Sequence, residues 1–122
     1  MKIENIKFRA KALNSGEWVE GDLFHRITDT CIATKDMDDI VYYPVDPATV
    51  CQFTGQFDIY RNFIYEHDLI KCEEADAVYE VVWDEGDASF NLINTQNACL
   101  LPATLGNWLR LQSFKVISNK FN

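Results

Sequence analysis

The residues best suited to bind a metal lie together between positions 66 and 72. Glu66, His67 and Asp68 are contiguous, and Cys72 follows four residues later. Carboxylate, imidazole and thiolate groups are the usual ligands of zinc. On a strand, however, Glu66 and Asp68 would point to one face and His67 to the other. With only one other histidine, His25, we interpret the triplet as a polar turn whose aspartate caps backbone amides, and we predict no metal ligand.

Motifs for covalent or acid–base catalysis are missing. Nucleophilic catalysis needs a Ser or Cys beside a His, but there is no G-x-S-x-G, and no motif pairs Cys51 or Cys72 with a histidine. Acids are abundant, yet those of residues 84–87 flank a glycine, which is typical of a solvated hairpin tip. Phosphate-binding glycine motifs are absent as well. We therefore predict no catalytic residue, no cofactor-binding residue and no cofactor, and we do not expect an enzyme.

The four cysteines indicate a reduced protein. They are widely spaced and form no C-x-x-C pair, which gives no support to a zinc ribbon or a redox motif. Residues 1–11 contain no apolar stretch, so we expect no signal peptide and a reducing compartment. In that setting we predict that the cysteines are small core residues. They are Cys31, Cys51, Cys72 and Cys99.

The charge is strongly acidic and concentrated in one window. The chain has 11 basic and 19 acidic residues, for a formal net charge of −8. Residues 66–87 hold nine of the acids and only one base, Lys71. Such a field repels phosphates, so nucleic acid is disfavoured as a partner. We interpret the window as a solvated acidic face, with a surface for a basic host protein as the alternative.

A weak nucleic-acid-binding barrel is a further alternative. Single-stranded nucleic acid binds where aromatic side chains alternate with Lys and Arg. Aromatic residues make up 13% of the chain, and we interpret most of them as core or interface residues. The basic residues that could serve this function are Lys7, Arg9, Lys11 and Arg26.

The length and the apolar pattern favour one mainly β domain over residues 1–122. No apolar run is longer than four residues, which excludes a membrane-spanning helix. We predict an N-terminal hairpin with its tip at 14–16. We also predict one short helix near the C-terminus, beginning at Pro102. Further strands are predicted at 31–34, 40–43, 49–54 (ending at Gly55), 69–72, 78–83, 89–93 and 114–117.

The clearest hairpin joins the strands at 78–83 and 89–93. Five of the six residues at 78–83 are β-branched or aromatic, and the acidic tip at 84–87 contains a glycine. We predict that Trp83 is a core residue. The alternation of acidic turns and strands from 66 to 83 is typical of a small SH3-like barrel, an analogy of fold that implies no function.

One uncharged segment and one segment rich in apolar residues predict self-association. Residues 88–109 carry no charged side chain, and residues 57–65 are rich in aromatic and aliphatic side chains. A domain of this size has a limited interior, and aromatic loops favour interfaces. We therefore expect a homo-oligomer that makes contact away from the acidic window.

Five segments in order resemble the YopX family of phage and prophage proteins. The segment at 50–55 resembles the family's V-x-Q-[YF]-T-G, and the segment at 64–71 resembles its I-Y-E-G-D-I-V. His67 and Ser118 stand where the family has glycine, and residues 55–64 lack the family's polar turn. The remaining segments that carry the resemblance are 8–10 with 17–23, 81–85 with Phe90, and 114–119.

The resemblance implies a mainly β fold containing a small barrel and a tendency to oligomerise, with no assigned catalytic or cofactor residues. A glycine before Asp in such a turn usually supplies a positive φ, so His67 must tolerate that geometry or the turn must differ. We therefore expect a phage-derived accessory protein in the bacterial cytoplasm. We expect it to act by binding or self-assembly, with a phage or host protein as a further partner.

Overall fold

The computed structural model describes all 122 residues and is mainly β. Strands hold 54% of the residues and helices 11%, and the strands form two antiparallel sheets. The mainly β prediction is therefore confirmed. The chain divides into two compact units, residues 1–53 and residues 54–122. The single domain proposed for 1–122 stays a prediction.

The first unit contains most of a six-stranded antiparallel sheet with the strand order β4-β3-β2-β1-β5-β6, whose last strand, β6, belongs to the second unit. Its core consists of Ala10, Ile32 and Val45, with larger apolar side chains packed around them. β5 crosses the boundary between the units. Short 3-10 helices cover Ile3–Asn5 and Pro47–Thr49. The strands are β1 (Phe8–Lys11), β2 (Trp18–His25), β3 (Thr30–Asp36), β4 (Asp39–Pro44) and β5 (Cys51–Phe57).

The predicted N-terminal hairpin is formed by β1 and β2. Lys11 pairs with Trp18, and the turn between them includes Gly16 at φ +71°. β2 also pairs with β3, and a Cβ on Gly21 would lie 2.1 Å from the Ala33 carbonyl oxygen. A side chain cannot fit there, so this close approach of β2 and β3 requires glycine.

The second unit is a five-stranded antiparallel sheet with one α-helix. The strand order is β10-β9-β8-β7-β11, and β6 lies beside the end of β5, where Thr54 Oγ1 donates to the Ile64 carbonyl at 2.7 Å. The core contains Ile64, Ile70, Val81 and Leu92. The elements are β6 (Phe63–Tyr65), β7 (Asp68–Cys72), β8 (Val78–Asp84), β9 (Ser89–Asn94), β10 (Leu100–Thr104), α1 (Leu105–Leu111) and β11 (Phe114–Asn119).

The short C-terminal helix is confirmed, but it begins later than predicted. Pro102 lies in β10, an edge strand, where its missing N–H costs little. The helix begins after Thr104, whose side chain accepts a hydrogen bond from the Asn107 N–H at 3.3 Å. Leu105 is buried in the core. No helix of the chain has the length and apolar character needed to cross a membrane.

Trp83 is not a core residue, although the β8–β9 hairpin and its exposed acidic tip are confirmed. Tyr79, Val81 and Trp83 share one face of β8. Val81 is fully buried, whereas Trp83 is 38% exposed. The alternation therefore identified the correct face, but the strand runs beyond the end of the core. Neither sheet closes on itself, so the SH3-like barrel is not confirmed.

Two further details differ from the sequence-based predictions. Cys31, Cys51 and Cys72 are buried as free thiols, but Cys99 is exposed, in the turn before β10. Gly55 does not end its strand, because β5 continues to Phe57. Gly55 takes a φ of +80° within β5, a conformation that glycine adopts without strain.

Candidate interaction surface

The loop between β5 and β6 exposes a group of large apolar side chains, which we call the aromatic loop (residues 57–63). Tyr60 is 63% exposed, and three other apolar side chains of the loop are also exposed. The two residues that follow, Ile64 and Tyr65, are buried in β6. The four exposed side chains lie with Ile64 and Tyr65 in one apolar segment of the sequence, and the structure divides that segment into an exposed group and a core group. The exposed group is Phe57, Ile59, Tyr60 and Phe63.

A buried carboxylate holds the aromatic loop in place. Asp58 is only 5% exposed, and its Oδ1 accepts the backbone N–H groups of Tyr60 at 2.9 Å and Asn62 at 2.8 Å. Its Oδ2 accepts the Val116 N–H of β11 at 3.0 Å and the Asn62 side-chain amide at 3.1 Å. Charge-assisted bonds of this kind are stronger than neutral ones. The loop is therefore fixed to β11 by a residue beneath its apolar side chains.

Main-chain bonds complete the anchoring of the loop. The Ile59 N–H donates to the Phe114 carbonyl at 3.1 Å, and the Asp58 N–H donates to the Asn62 carbonyl at 3.0 Å. Arg61 adopts a φ of +68°, which turns the chain back toward β6. Such a conformation persists in a non-glycine residue only when its surroundings impose it. The apolar side chains are thus displayed on an ordered support.

The network also sets the acidity of Asp58. Burial by itself raises the pKa of this carboxyl group. The amides of Val116, Asn62 and Tyr60 stabilise the charged form more strongly, so the pKa of Asp58 lies below its ordinary value. Asp58 is therefore ionised and fully engaged near neutral pH, which indicates a structural rather than a proton-transfer role.

The rings of the aromatic loop contact one another. Phe57 and Phe63 pack edge to face with their centroids 5.3 Å apart. The Arg61 guanidinium carbon lies 5.5 Å from the centroid of the Phe57 ring. Aromatic and arginine side chains are enriched among residues that dominate binding energy at protein interfaces. This surface can bind an apolar partner surface, and Arg61 can bind an acidic group at its rim.

The role of Asp58 as the organising residue was not predicted from the sequence. The usable signal was an aspartate followed by Asn62 four residues later, since Asp side chains often accept bonds from nearby backbone amides. The bond to Val116 spans 58 positions, and no local pattern indicates it.

The triplet at 66–68 has a different geometry from a strand. Glu66 Oε2 lies 3.7 Å from His67 Nε2, whereas Asp68 is buried and accepts the Tyr65 N–H at 2.7 Å. The predicted polar turn is confirmed, so the strand geometry in which Glu66 and Asp68 would share a face does not apply. The predicted role of the aspartate as a cap of backbone amides is confirmed. Cys72 Sγ lies apart from the triplet, 3.1 Å from Gln112 Oε1.

His67 adopts a φ of +68°, the geometry expected of a residue that replaces glycine. Its Nδ1 lies 2.8 Å from Glu80 Oε2, and its ring packs edge to face on Phe121 at 5.3 Å. The His67 carbonyl accepts the Lys120 N–H at 2.9 Å. The turn therefore holds the C-terminal tail of the chain.

The acidic window is not a single surface. Residues 73–76 and residues 85–87 form exposed turns at opposite ends of β8, and a strand of that length spans roughly 20 Å. Glu74 is engaged in hydrogen bonds within the protein, because its carboxylate accepts the Ser113 N–H at 3.0 Å and the Cys72 thiol at 3.2 Å. The backbone amide of Ser113 is the main cause that lowers the pKa of Glu74.

The basic residues of β1 and the adjacent Lys7 contact aromatic rings of the same unit. Arg9 lies over Trp18 at 4.6 Å, and Lys11 Nζ is 5.5 Å from the same ring. Lys7 Nζ lies 4.9 Å from the Phe53 centroid and 3.6 Å from Glu20 Oε1. Arg26 is not part of this group, because it forms a two-bond ion pair with Asp29 at 2.6 and 2.7 Å. Arg9 and Lys11 are therefore brought together at Trp18. Because Arg26 is paired with Asp29, the four basic residues do not form one phosphate-binding surface.

The uncharged segment 88–109 is partly core and partly surface. Asn91, Leu92 and Leu105 are buried, whereas residues 95–99 form an exposed turn. The absence of charge is thus explained by burial for only part of the segment.

Comparison with known proteins identifies the family. No curated protein matches the sequence. A family model described as YopX protein matches residues 7–122, which is nearly the whole chain. The chain therefore belongs to the YopX family.

Proposed function

We propose that this protein acts by binding and self-assembly rather than by catalysis, and that the aromatic loop is its self-association surface. The observation that supports this is the combination of four exposed large apolar side chains with a buried anchor, Asp58. Exposing such a group to water is unfavourable for a small monomer. An ordered loop also loses little conformational entropy on binding.

Charge supports this choice of surface. Each copy has a formal net charge of −8, so two copies repel one another on average. In the aromatic loop the only acid, Asp58, is buried, and Arg61 is exposed. A two-fold dimer is the commonest closed assembly and the arrangement we propose first.

The setting that we propose is the cytoplasm of a bacterial host, as a phage or prophage accessory protein. Membership of the YopX family supports it. We further propose that residues 54–122 form a barrel-like variant of the SH3 topology. Irregular pairing between Val116 and Ser118 of β11, and between Leu100 and Thr104 of β10, introduces bends of the kind that curve such sheets.

The experiment is molar mass by light scattering across a dilution series. We expect the wild-type chain to exceed 14.1 kDa at high concentration and to approach that value on dilution. A Tyr60→Ser, Phe63→Ser double variant should remain at 14.1 kDa throughout. The matched control is Ile27→Ser, which changes a fully exposed apolar side chain outside the loop and should assemble like the wild type.

Two results would contradict the proposal. One is a wild-type chain that remains at 14.1 kDa at every concentration. The other is a double variant that assembles as well as the wild type while retaining its fold by circular dichroism.

A further inference from the structure

β4 lies at the edge of the first sheet, and its outer side has room for another strand. β4 pairs with β3 along its whole length, from Cys31 opposite Pro44 to Asp36 opposite Asp39. It is the last strand in its sheet, so its other side faces away from the sheet. Natural proteins usually protect such an edge with lysine, proline, a bulge or a covering segment.

The hydrogen-bonding phase of β4 identifies the groups that face outward. Residues 37–38 form a two-residue turn, so Asp36 and Asp39 are the pair that exchanges main-chain bonds. The alternation then directs the N–H and C=O groups of Ile40 and Tyr42 away from β3. The Pro44 carbonyl supports this phase, because it accepts the Leu13 N–H at 2.9 Å instead of bonding to β3.

Only one end of this edge is covered. Pro44 lacks an N–H, and its carbonyl is used by Leu13, so pairing cannot continue beyond that end. No comparable main-chain bond is made by Ile40 or Tyr42 on the outer side. The open part of β4 therefore extends from Asp39 to Tyr43, enough for a short added strand.

The side chains beside this edge are apolar and exposed. Ile40 is 62% exposed, Tyr42 46% and Phe24 47%, and the Phe24 and Tyr42 rings lie 5.7 Å apart. Together with the small side chain of Ala33 they line a groove of about 380 Å³. This face lies opposite the core of the first unit, so packing within that unit does not explain its apolar character.

The charge around the groove selects the chemistry of a partner. Asp22 lines the groove, and Asp36, Asp38 and Asp39 surround the β3–β4 turn, against one base, Lys35. The local sum is 1 − 4 = −3. A second copy would bring the same acidic turn, so charge opposes pairing between identical edges. An extended segment with lysine or arginine is complementary to it.

We propose that β4 is a docking edge for an extended segment of another protein, in which apolar residues alternate with lysine or arginine. The segment adds to β4 as a strand and bonds the main-chain groups of Ile40 and Tyr42. Its apolar side chains enter the groove beside Phe24, and its basic side chains lie near the acidic β3–β4 turn. In strand addition of this kind, main-chain hydrogen bonds provide the affinity, and the fit of alternate side chains provides the specificity. The inference is independent of the aromatic loop.

The test uses a blocked Val-Lys-Val-Lys-Val-Lys peptide as the probe, with amide hydrogen exchange followed by NMR. In the free protein the Ile40 and Tyr42 amides should exchange rapidly. At saturation we expect their exchange to slow at least tenfold, because the peptide accepts bonds from them. A blocked Val-Glu-Val-Glu-Val-Glu peptide should bind at least tenfold more weakly. Added salt should weaken binding of the lysine peptide.

Matched variants separate the edge from general charge effects. Ile40→Lys places a charge beside the groove and should weaken binding of the lysine peptide at least tenfold. Ile27→Lys makes the same substitution at an exposed site outside the groove and should bind within about threefold of the wild type.

Four outcomes would overturn the proposal. Equal binding of the two peptides would exclude the charge selection. Unchanged exchange at Ile40 and Tyr42, or unchanged affinity in Ile40→Lys, would exclude strand addition at β4. Protection of the two amides that rises with protein concentration without peptide would assign the edge to a second copy instead.

Discussion

The Asp58 carboxylate accepts the backbone N–H of Val116 at 3.0 Å, which ties the aromatic loop to β11. The two residues are separated by 58 positions in the chain. One buried charge therefore joins the surface that we propose for self-association to the sheet of the second unit. The stability of that sheet and the order of the loop should change together.

Removal of the Asp58 carboxylate should be strongly destabilising. Asp58→Ala leaves the Val116, Tyr60 and Asn62 amides without their acceptor, and we expect a loss of about 3 kcal/mol in the free energy of unfolding. Urea denaturation at neutral pH measures this loss. Asp38→Ala, at an exposed position in the β3–β4 turn, is the control and should change stability by less than about 0.5 kcal/mol.

Asp58 also predicts a dependence of stability on pH. Because its pKa is lower in the folded chain than in the unfolded one, its stabilising effect is complete above the unfolded pKa of about 4. That effect is lost as the pH falls through the folded pKa. The difference in stability between the wild type and Asp58→Asn should therefore be largest near neutral pH and shrink on acidification below about pH 4. A difference that is constant with pH would contradict the assignment.

Gly21 is predicted to tolerate no side chain. An added Cβ would lie 2.1 Å from the Ala33 carbonyl oxygen, a backbone atom that can move only if β2 and β3 separate. We expect Gly21→Ala to lower the free energy of unfolding by about 3 kcal/mol. Gly16→Ala is the comparison: it has a φ of +71° but open space around it, so only about 1–2 kcal/mol should be lost. Equal thermal stability of the two variants would contradict this account.

Trp83 should contribute less to stability than its size suggests. It is 38% exposed and packs edge to face on Phe90 with centroids 5.0 Å apart, a contact worth about 1 kcal/mol. We expect Trp83→Ala to cost about 1–2 kcal/mol, whereas Leu92→Ala in the core should cost about 2–5 kcal/mol. Urea denaturation of both variants provides the comparison. A larger loss for Trp83→Ala than for Leu92→Ala would show that the tryptophan is part of the core after all.

The energetic cost of the left-handed conformation of His67 can be measured by a pair of substitutions. Both His67→Ala and His67→Gly remove the contacts with Glu80 and Phe121, but only alanine retains a Cβ at φ +68°. The glycine variant should therefore be more stable than the alanine variant by about 1 kcal/mol. If the alanine variant is as stable as the glycine variant, the turn relaxes to a negative φ when the imidazole ring is removed.

The sequence by itself determined the elements whose patterns are local. The β8–β9 hairpin was predicted within one residue at each end, because a strand rich in β-branched and aromatic residues precedes an acidic turn with glycine. The turn at 14–16 was likewise apparent from residue type. Such features depend on steric preferences of a few adjacent residues, which the sequence states directly.

Only the tertiary structure decided burial and the partners of polar side chains. Alternation placed Trp83 on the inner face of β8, but the extent of the core decides how much of that face is covered. Pro102 is compatible with the start of a helix and also with an edge strand, and in the structure it lies in the edge strand β10. Asp58 could have been one more solvated acid in a turn. Its partner Val116 lies far along the chain, so only folding brings the carboxylate and that amide together.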